Sequence, residues 1–158
     1  MPYVKRSELR LTHEELEEFL RANKWGRLAT ANLEGEPHIT PLGFVYHEGA
    51  VYFHAMRKGR RGRDLRENPK VAFLVDDGVG PDDPYTKRRG AILYGSCVVA
   101  DDDPGLDEAK QAYMRAMEAR SLDEIQRRTH DWYRIDVERT SSWDFRKIPQ
   151  GADRKVAR

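Results

Sequence analysis

The chain has 158 residues, with 28 basic and 27 acidic side chains and a formal net charge of +1 when histidine is counted as neutral. This length suits one ordinary domain with its own core, so we expect a single domain over residues 1–158. The balanced charge argues against a general binder of nucleic acid or membrane surfaces. No apolar run approaches the roughly 20 residues that span a bilayer, and the N-terminus has no hydrophobic signal core, which predicts a cytoplasmic protein. The single cysteine, Cys97, excludes an internal disulfide and a cysteine-based metal site.

The first half of the chain predicts a helix followed by a β-meander. Thr12 can cap the helix, Glu15 completes a capping box, and an apolar stripe continues the helix to about Asn23. The predicted strands cover residues 27–31, 38–46 and 51–55, with turn residues between them. Pro41 lies inside the second strand, which predicts a bulge or a sheet edge at that point.

The second half adds further strands and helices. A short helix over residues 64–68 ends before Pro69, a strand covers 70–75, and residues 76–84 form a loop. We then expect a strand over 91–100, a helical region over 104–130 that breaks near Ser121, and two final strands over 132–137 and 142–146. Six or seven strands with peripheral helices indicate a mainly β protein, a small antiparallel barrel with helical caps.

Basic residues concentrate at the predicted junction between the third strand and the short helix. Six of the ten residues from 57 to 66 are basic, namely Arg57, Lys58, Arg60, Arg61, Arg63 and Arg66, and only Asp64 is acidic. The N-terminus of a helix offers free N–H groups to an anion, and arginine binds phosphate oxygens in pairs. Gly59 and Gly62 allow the backbone to approach closely. The segment therefore predicts a phosphorylated ligand, and a solvated basic helix face is the alternative.

The sequence contains none of the common catalytic motifs that we considered. The sequence contains neither GxSxG nor P-loop spacing, and its five histidines show no helical zinc-site pairing. His38 and His54 could meet across paired strands as metal ligands, although one satisfied histidine on a barrel face is the ordinary interpretation. Two acidic pairs, Asp76-Asp77 and Asp82-Asp83, could hold a cation or form a solvated turn. We predict no metal site.

The order of four motifs resembles the pyridoxamine 5'-phosphate oxidase-like split-barrel superfamily. They are Gly26 to Thr30, Gly35 to Pro41, Val51 to His54 and Arg60 to Val71. Within it the chain is most similar to the flavin/deazaflavin oxidoreductases, since residues 138–147 resemble the C-terminal strand of the branch that uses coenzyme F420. The resemblance covers residues 11–149.

The resemblance implies a six-stranded antiparallel split barrel with peripheral helices, which forms a homodimer with the cofactor sites at its interface. It implies coenzyme F420, or alternatively FMN, whose phosphate would bind to the basic segment at Arg57, Lys58, Arg60 and Arg61. The cofactor ring would lie along the second and third strands, and Trp143 and Arg146 would approach it from the partner subunit. The implied ring-binding residues are His38, Thr40, Pro41, Leu42, His54 and Ala55.

Two positions depart from the family pattern. Arg61 replaces the usual lysine and adds bidentate reach. Asp64 replaces the usual asparagine, and since a carboxylate would repel phosphate, we expect it to turn away or to pair with a neighbouring arginine.

The implied activity is a reductase that transfers hydride to an electron-poor double bond of a small organic substrate. The cofactor carries that chemistry, so no catalytic constellation is required. The same strand also resembles nitroimidazole-resistance proteins, in which a histidine at the place of His54 is functional, and this makes His54 the candidate catalytic residue. Two alternatives remain: an FMN-binding protein similar to pyridoxamine 5'-phosphate oxidase or nitroimidazole reductase, and a non-catalytic binder of flavin, haem or another tetrapyrrole with His54 or His38 as the axial ligand.

Overall fold

The computed structural model of the chain describes residues 4–125 and 128–149. Its centre is one antiparallel sheet of seven strands. In chain order the strands are β1 Trp25–Ala31, β2 Pro37–Gly43, β3 Val45–His47, β4 Ala50–Met56, β5 Lys70–Asp77, β6 Arg89–Val99 and β7 His130–Asp144. The helices are α1 His13–Ala22, α2 Arg60–Glu67, α3 Leu106–Ala116 and α4 Leu122–Ile125. None of the helices in this described part is long and apolar enough to cross a membrane.

The sheet curls into a split barrel because of where the second predicted strand breaks. The strand order is β2-β1-β5-β6-β7-β4-β3, so β2 and β3 are the two edges of the sheet. Only Phe44 separates them in sequence, and its N–H donates to the carbonyl of Lys24. One residue cannot cross a flat sheet of seven strands, because a residue advances the chain by at most about 3.6 Å. The two edges must therefore lie side by side.

The sheet has seven strands, which corrects the six that the family resemblance implied. The predicted strand over residues 38–46 divides at Phe44 into β2 and β3, because its first part pairs with β1 and its second with β4. The two predicted final strands are instead the single long strand β7, which pairs first with β4 and then with β6. Pro41 lies in the edge strand β2, as its missing N–H predicted.

Two apolar clusters hold the fold together. One fills the barrel interior and includes Phe44, Phe53, Phe73 and Leu93, each no more than 1% exposed. The other lies outside the barrel between β4, β7 and α3 and includes Trp132 and Tyr113. Strand β4 contributes to both clusters because successive side chains point to opposite faces.

The helix predictions hold in part. Helix α1 begins after Thr12 with the predicted capping box. Helix α2 begins at Arg60, four residues before its predicted start, so most of the basic segment is helical. The predicted helical region over residues 104–130 contains α3 and α4 separated by a break that includes Ser121, and residues 126–127 lie outside the described residues. The ends of the predicted domain, residues 1–3 and 150–158, also lie outside them.

Candidate functional site

Four of the chain's elements converge on Arg61, near the start of α2. Its Nη1 donates to Thr40 Oγ1 on β2 at 2.9 Å. Its charge adds to the burial and the His130 charge that lower the pKa of His54 on β4, and it partly opposes the burial that raises the pKa of Tyr113 on α3. The rings of His54 and Tyr113 meet edge to face with centroids 5.2 Å apart. We call these four residues, Thr40, His54, Arg61 and Tyr113, the Arg61 cluster.

Arg61 is a half-buried cation without a carboxylate partner in the described part of the chain. Thr40 is the one side chain to which it donates, and its buried Nε has no hydrogen-bond partner. Burial lowers the pKa of the Arg61 guanidinium, because the charged form loses hydration without gaining a counter-ion. Unsatisfied donors on a partly desolvated cation provide the chemistry that a phosphate needs.

The other predicted phosphate-binding cations differ in whether they form ion pairs within the protein. Arg57 forms a bidentate ion pair with Asp131, the closest N–O distance being 2.6 Å. Arg60 lies 3.3 Å from Glu36 and 3.8 Å from Asp64. Lys58 is exposed and has no ion pair within residues 4–125 and 128–149. The structure therefore leaves Arg61 and Lys58 available to an anion and pairs the other two internally.

Asp64 turns away from the site, as expected for a carboxylate that would repel a phosphate. Its side chain is buried, with 4% of the residue exposed, and accepts a hydrogen bond of 2.9 Å from the Thr30 hydroxyl. Arg60 supplies the compensating charge at 3.8 Å. Gly62 on the same helix packs against the end of β4, where an added Cβ would lie 2.5 Å from the Met56 carbonyl oxygen. The close approach predicted for Gly62 thus serves the protein's own backbone.

His54 is enclosed by rings and is neutral at ordinary pH. Burial, His130 and Arg61 lower its pKa to about 4. Its ring lies 5.2 Å from Trp132 and 5.3 Å from His130, and its buried Nδ1 has no hydrogen-bond partner. A neutral imidazole with an unpaired nitrogen can donate or accept a proton, or bind a metal.

Not all of the predicted ring-binding residues share this place. His38, Thr40 and Leu42 point to one face of β2, while Pro41 points to the other. Ala55 is buried in the barrel interior. The expectation that His38 and His54 meet across paired strands is wrong, because β2 pairs with β1 and β4 pairs with β3 and β7.

Trp143 and Arg146 lie at the opposite end of the long strand from the Arg61 cluster. His54 is paired with Trp132 near the start of β7, whereas Trp143 is paired with Gly90 near its end. Arg146 follows β7 and is bound to Asp144 at 2.6 Å. Within one chain, neither residue joins the Arg61 cluster.

Three of the aspartates that the sequence suggested as possible cation ligands form ion pairs with basic side chains. Asp76 pairs with Arg27, Asp77 with Arg89 and Asp83 with Lys87, so these aspartates have internal partners. A different group, the side chains of His47, Glu48 and Glu108, places potential ligand atoms within 4.8 Å of one another. It lies at the turn between β3 and β4 beside the start of α3, and Glu108 is mostly exposed.

Sequence reasoning missed four residues in and around this site. Tyr113 falls in the predicted helical region over residues 104–130, but no sequence signal placed that region over β4. Trp132 and His130 come next to His54 only through the register between β4 and β7, in which His54 faces Trp132. Asp131, which neutralises Arg57, belongs to the same short segment.

Comparison with known proteins identifies the family. A family model described as pyridoxamine 5'-phosphate oxidase matches residues 12–144. The chain belongs to this family. A curated relative from Streptomyces rimosus, named 5a,11a-dehydrotetracycline/5a,11a-dehydrooxytetracycline reductase, is 38% identical over 82 residues. That match covers 49% of this chain and 56% of the relative, so it spans about half the length of each.

Solved structures similar to this chain have the same fold. The conserved hypothetical protein Rv2991 from Mycobacterium tuberculosis superposes with a TM-score of 0.77 at 24% identity, over 95% of this chain and 96% of its own. A FAD-binding protein from Mesorhizobium loti superposes with a TM-score of 0.65 at 26% identity, over 84% of this chain and 94% of its own.

Proposed function

We propose that this protein is a reductase that uses the deazaflavin coenzyme F420 to transfer hydride to an electron-poor double bond of a small organic substrate. Its family and its match to a reductase support an oxidoreductase function in general. The observation that carries the proposal is the half-buried, unpaired Arg61 beside the exposed Lys58, at the junction between β4 and α2. FMN is the alternative cofactor, since it also carries a phosphate and an isoalloxazine-type ring.

The side chains around Arg61 suit the binding of such a cofactor. Arg61 and Lys58 would hold the phosphate, with Thr40 fixing the guanidinium in place. When bound, the deazaflavin supplies the hydride chemistry. His54 stays neutral and adds no charge beside Arg61. Burial raises the pKa of Tyr113, so its hydroxyl keeps its proton and could donate it to a reduced product.

We also propose that the protein is a homodimer through the outer face of its sheet. Ile39, Ala29, Ala72 and Tyr94 are register partners across four strands, so their side chains share one face. The residues that alternate with them, such as Leu28 and Phe73, fill the barrel interior. Ile39 is 62% exposed, and Leu74 and Ile92 extend the apolar surface. Contiguous apolar faces of this kind mark interaction sites.

The dimer would explain the position of Trp143. The register places its side chain on the same outer face as Ser141, beside Ile92. A partner packed on this face could therefore bring its own Trp143 towards the Arg61 cluster, which Trp143 cannot reach within one chain. The dimer would then have two cofactor sites at its interface, each built from both subunits.

A non-catalytic tetrapyrrole carrier is the second candidate. The observation that favours it is the neutral His54 with a buried, unpaired Nδ1, which suits an axial ligand to haem. In that case haem addition would give a Soret band that His54→Ala abolishes.

The test is a direct comparison of ligands. Purified protein would be titrated with F420, FMN and haem, following tryptophan fluorescence and absorbance. We expect micromolar binding of F420 that Arg61→Ala weakens by tenfold or more, about 1.5–3 kcal/mol for a charged hydrogen bond. Arg63→Ala on the same helix is the matched control, since Arg63 is exposed and outside the cluster. If the protein binds neither F420 nor FMN, the proposal is overturned.

A further inference from the structure

A groove of about 500 Å³ lies far from the Arg61 cluster, beside the C-terminal end of β7. It is bounded by the N-terminal turn Arg6–Leu9, by Tyr85 in the segment before β6, and by Trp143 and Phe145. A volume of this size suits a small organic ligand. The groove lies at the edge of the outer sheet face described above.

One wall of the groove is aromatic. The rings of Tyr85 and Phe145 stack with centroids 4.7 Å apart and planes 16° from parallel. The indole of Trp143 lies over Gly90, where an added Cβ would come within 2.4 Å of Trp143 Cζ2. Since only glycine leaves room for this ring position, the wall is a fixed surface on which a planar ligand could stack.

The rest of the groove is positively charged. Arg6 and Arg10 line it, and neither has an ion pair within the described ranges 4–125 and 128–149. Arg88 lies over the Tyr85 ring at 5.3 Å and is likewise without a carboxylate partner there.

The acidic groups close to the groove are already in use. Asp144 is bound to Arg146 and Glu15 to Lys147, each pair at 2.6 Å. Glu8 accepts from the backbone N–H of Lys5. None of these three carboxylates forms an ion pair with Arg6 or Arg10.

The groove also contains a polar group of fixed orientation. Ser142 Oγ accepts a hydrogen bond of 3.1 Å from the Leu11 N–H, which leaves the hydroxyl proton free to donate. A ligand that stacks on the aromatic wall would thus meet two cationic forks and one hydroxyl donor.

We propose that this groove binds a planar aromatic compound that carries an acidic group, such as a carboxylate, sulfonate or enolate. The ring system would lie on Trp143, Tyr85 and Phe145, and the acidic group would pair with Arg6 and Arg10. The charge complementarity selects this class, because an uncharged aromatic would leave both arginines without a partner. The groove shares Trp143 with the proposed dimer interface, so the inference rests in part on the proposed function, but its test measures probe binding and requires no redox activity.

A pair of probes that differ only in charge tests the site. The aromatic sulfonate 8-anilinonaphthalene-1-sulfonate and its uncharged analogue N-phenyl-1-naphthylamine share one ring system. Both would be titrated into the full chain, following probe fluorescence. We expect the wild-type protein to bind the sulfonate more tightly than the neutral analogue. The double variant R6A/R10A should lose that preference, with sulfonate affinity falling about 3- to 20-fold, as for two exposed ion pairs.

Matched variants separate this site from general adsorption. R21A/R115A removes two exposed arginines outside the groove and should bind both probes as the wild type does. Phe145→Ala removes part of the stacking wall and should weaken both probes alike. If it unfolds the chain, Trp143→Leu takes its place. Equal sulfonate affinity in R6A/R10A and wild type would mean that the probe adsorbs non-specifically, and it would overturn the proposal. Equal affinity of the wild type for the two probes would overturn it as well.

Discussion

Arg61 Nη1 donates a 2.9 Å hydrogen bond to Thr40 Oγ1, and this contact ties the start of α2 to the edge strand β2. It fixes a half-buried guanidinium that has no carboxylate partner in the described part of the chain. The Nε of the same guanidinium is buried and has no hydrogen-bond partner. In the proposed site, Arg61 would supply the charge and Thr40 would orient it.

Thr40→Val should therefore act differently from Arg61→Ala. The valine keeps the shape but removes the acceptor, so affinity for the phosphate-bearing cofactor should fall about three- to tenfold, the worth of one hydrogen bond. The charge remains, so the dependence of affinity on salt should stay as in the wild type. Arg61→Ala should reduce that salt dependence. Titrations at two ionic strengths distinguish these effects. An unchanged affinity in Thr40→Val would show that the contact does not position Arg61.

His54 should give the protein a distinct acid sensitivity. Its pKa falls from 6.5 to about 4 on folding, because burial, His130 and Arg61 disfavour its charged form. The unfolded state then binds the extra proton first, so this contribution to stability is complete above pH 6.5 and decreases between pH 6.5 and 4. With allowance for partial exposure, it should amount to about 2 kcal/mol.

Denaturant unfolding at several pH values would measure this loss. His54→Gln should remove it and flatten the profile in that range, while His13→Gln, on the exposed start of α1, should leave it in place. A His54 ring whose NMR signals titrate near pH 6.5 would contradict the prediction.

Asp64 and Thr30 form the buried polar pair beneath the basic helix. Asp64→Ala should lower the free energy of unfolding by about 2 kcal/mol, because it leaves the Thr30 hydroxyl and the Arg60 guanidinium without their acceptor. Asp64→Asn keeps an acceptor for Thr30 and should cost less. Chemical denaturation of the three proteins checks the order. A wild-type stability for Asp64→Ala would show that the pair contributes nothing net.

Local patterns in the sequence predicted individual elements well. The capping box at Thr12 and Glu15 set the start of α1, and the strands predicted over residues 27–31 and 70–75 lie within β1 and β5. The basic segment and Asp64's departure from the site could also be argued from residue chemistry alone. These features depend on residues close together in sequence, where propensity and charge act directly.

The pairing of strands that are distant in the chain could not be predicted from the sequence. Nothing local to Phe44 shows that the strand around it must divide to pair with both β1 and β4. Likewise, Asp131 neutralises Arg57 and Trp132 packs on His54 only because of the register between β4 and β7. Which arginine is free therefore became visible only once partners distant in sequence were placed.

The proposed dimer predicts a specific effect of charge on the outer sheet face. Ile39→Asp places a carboxylate on that face at the edge strand β2, where Ile39 is register partner to Ala29. Burial of an unpaired charge in an interface is costly, so the variant should be a monomer in light scattering at concentrations where the wild type is a dimer. Leu33→Asp, which changes an exposed residue in the turn between β1 and β2, is the control. A monomeric wild-type protein would contradict the proposal.

Gly62 provides a test of how closely α2 packs on β4. In an exposed helix, alanine would be favoured over glycine by about 1 kcal/mol. Here its Cβ would lie 2.5 Å from the Met56 carbonyl oxygen and 2.6 Å from that of Arg57. Backbone atoms cannot move aside cheaply, and overpacking costs about 1–3 kcal/mol, so Gly62→Ala should be destabilising on balance. Gly59→Ala adds a Cβ at an ordinary 3.4 Å from the same oxygen and should change stability much less. Thermal unfolding of the two variants decides the point, and a Gly62→Ala protein more stable than the wild type would refute the close packing.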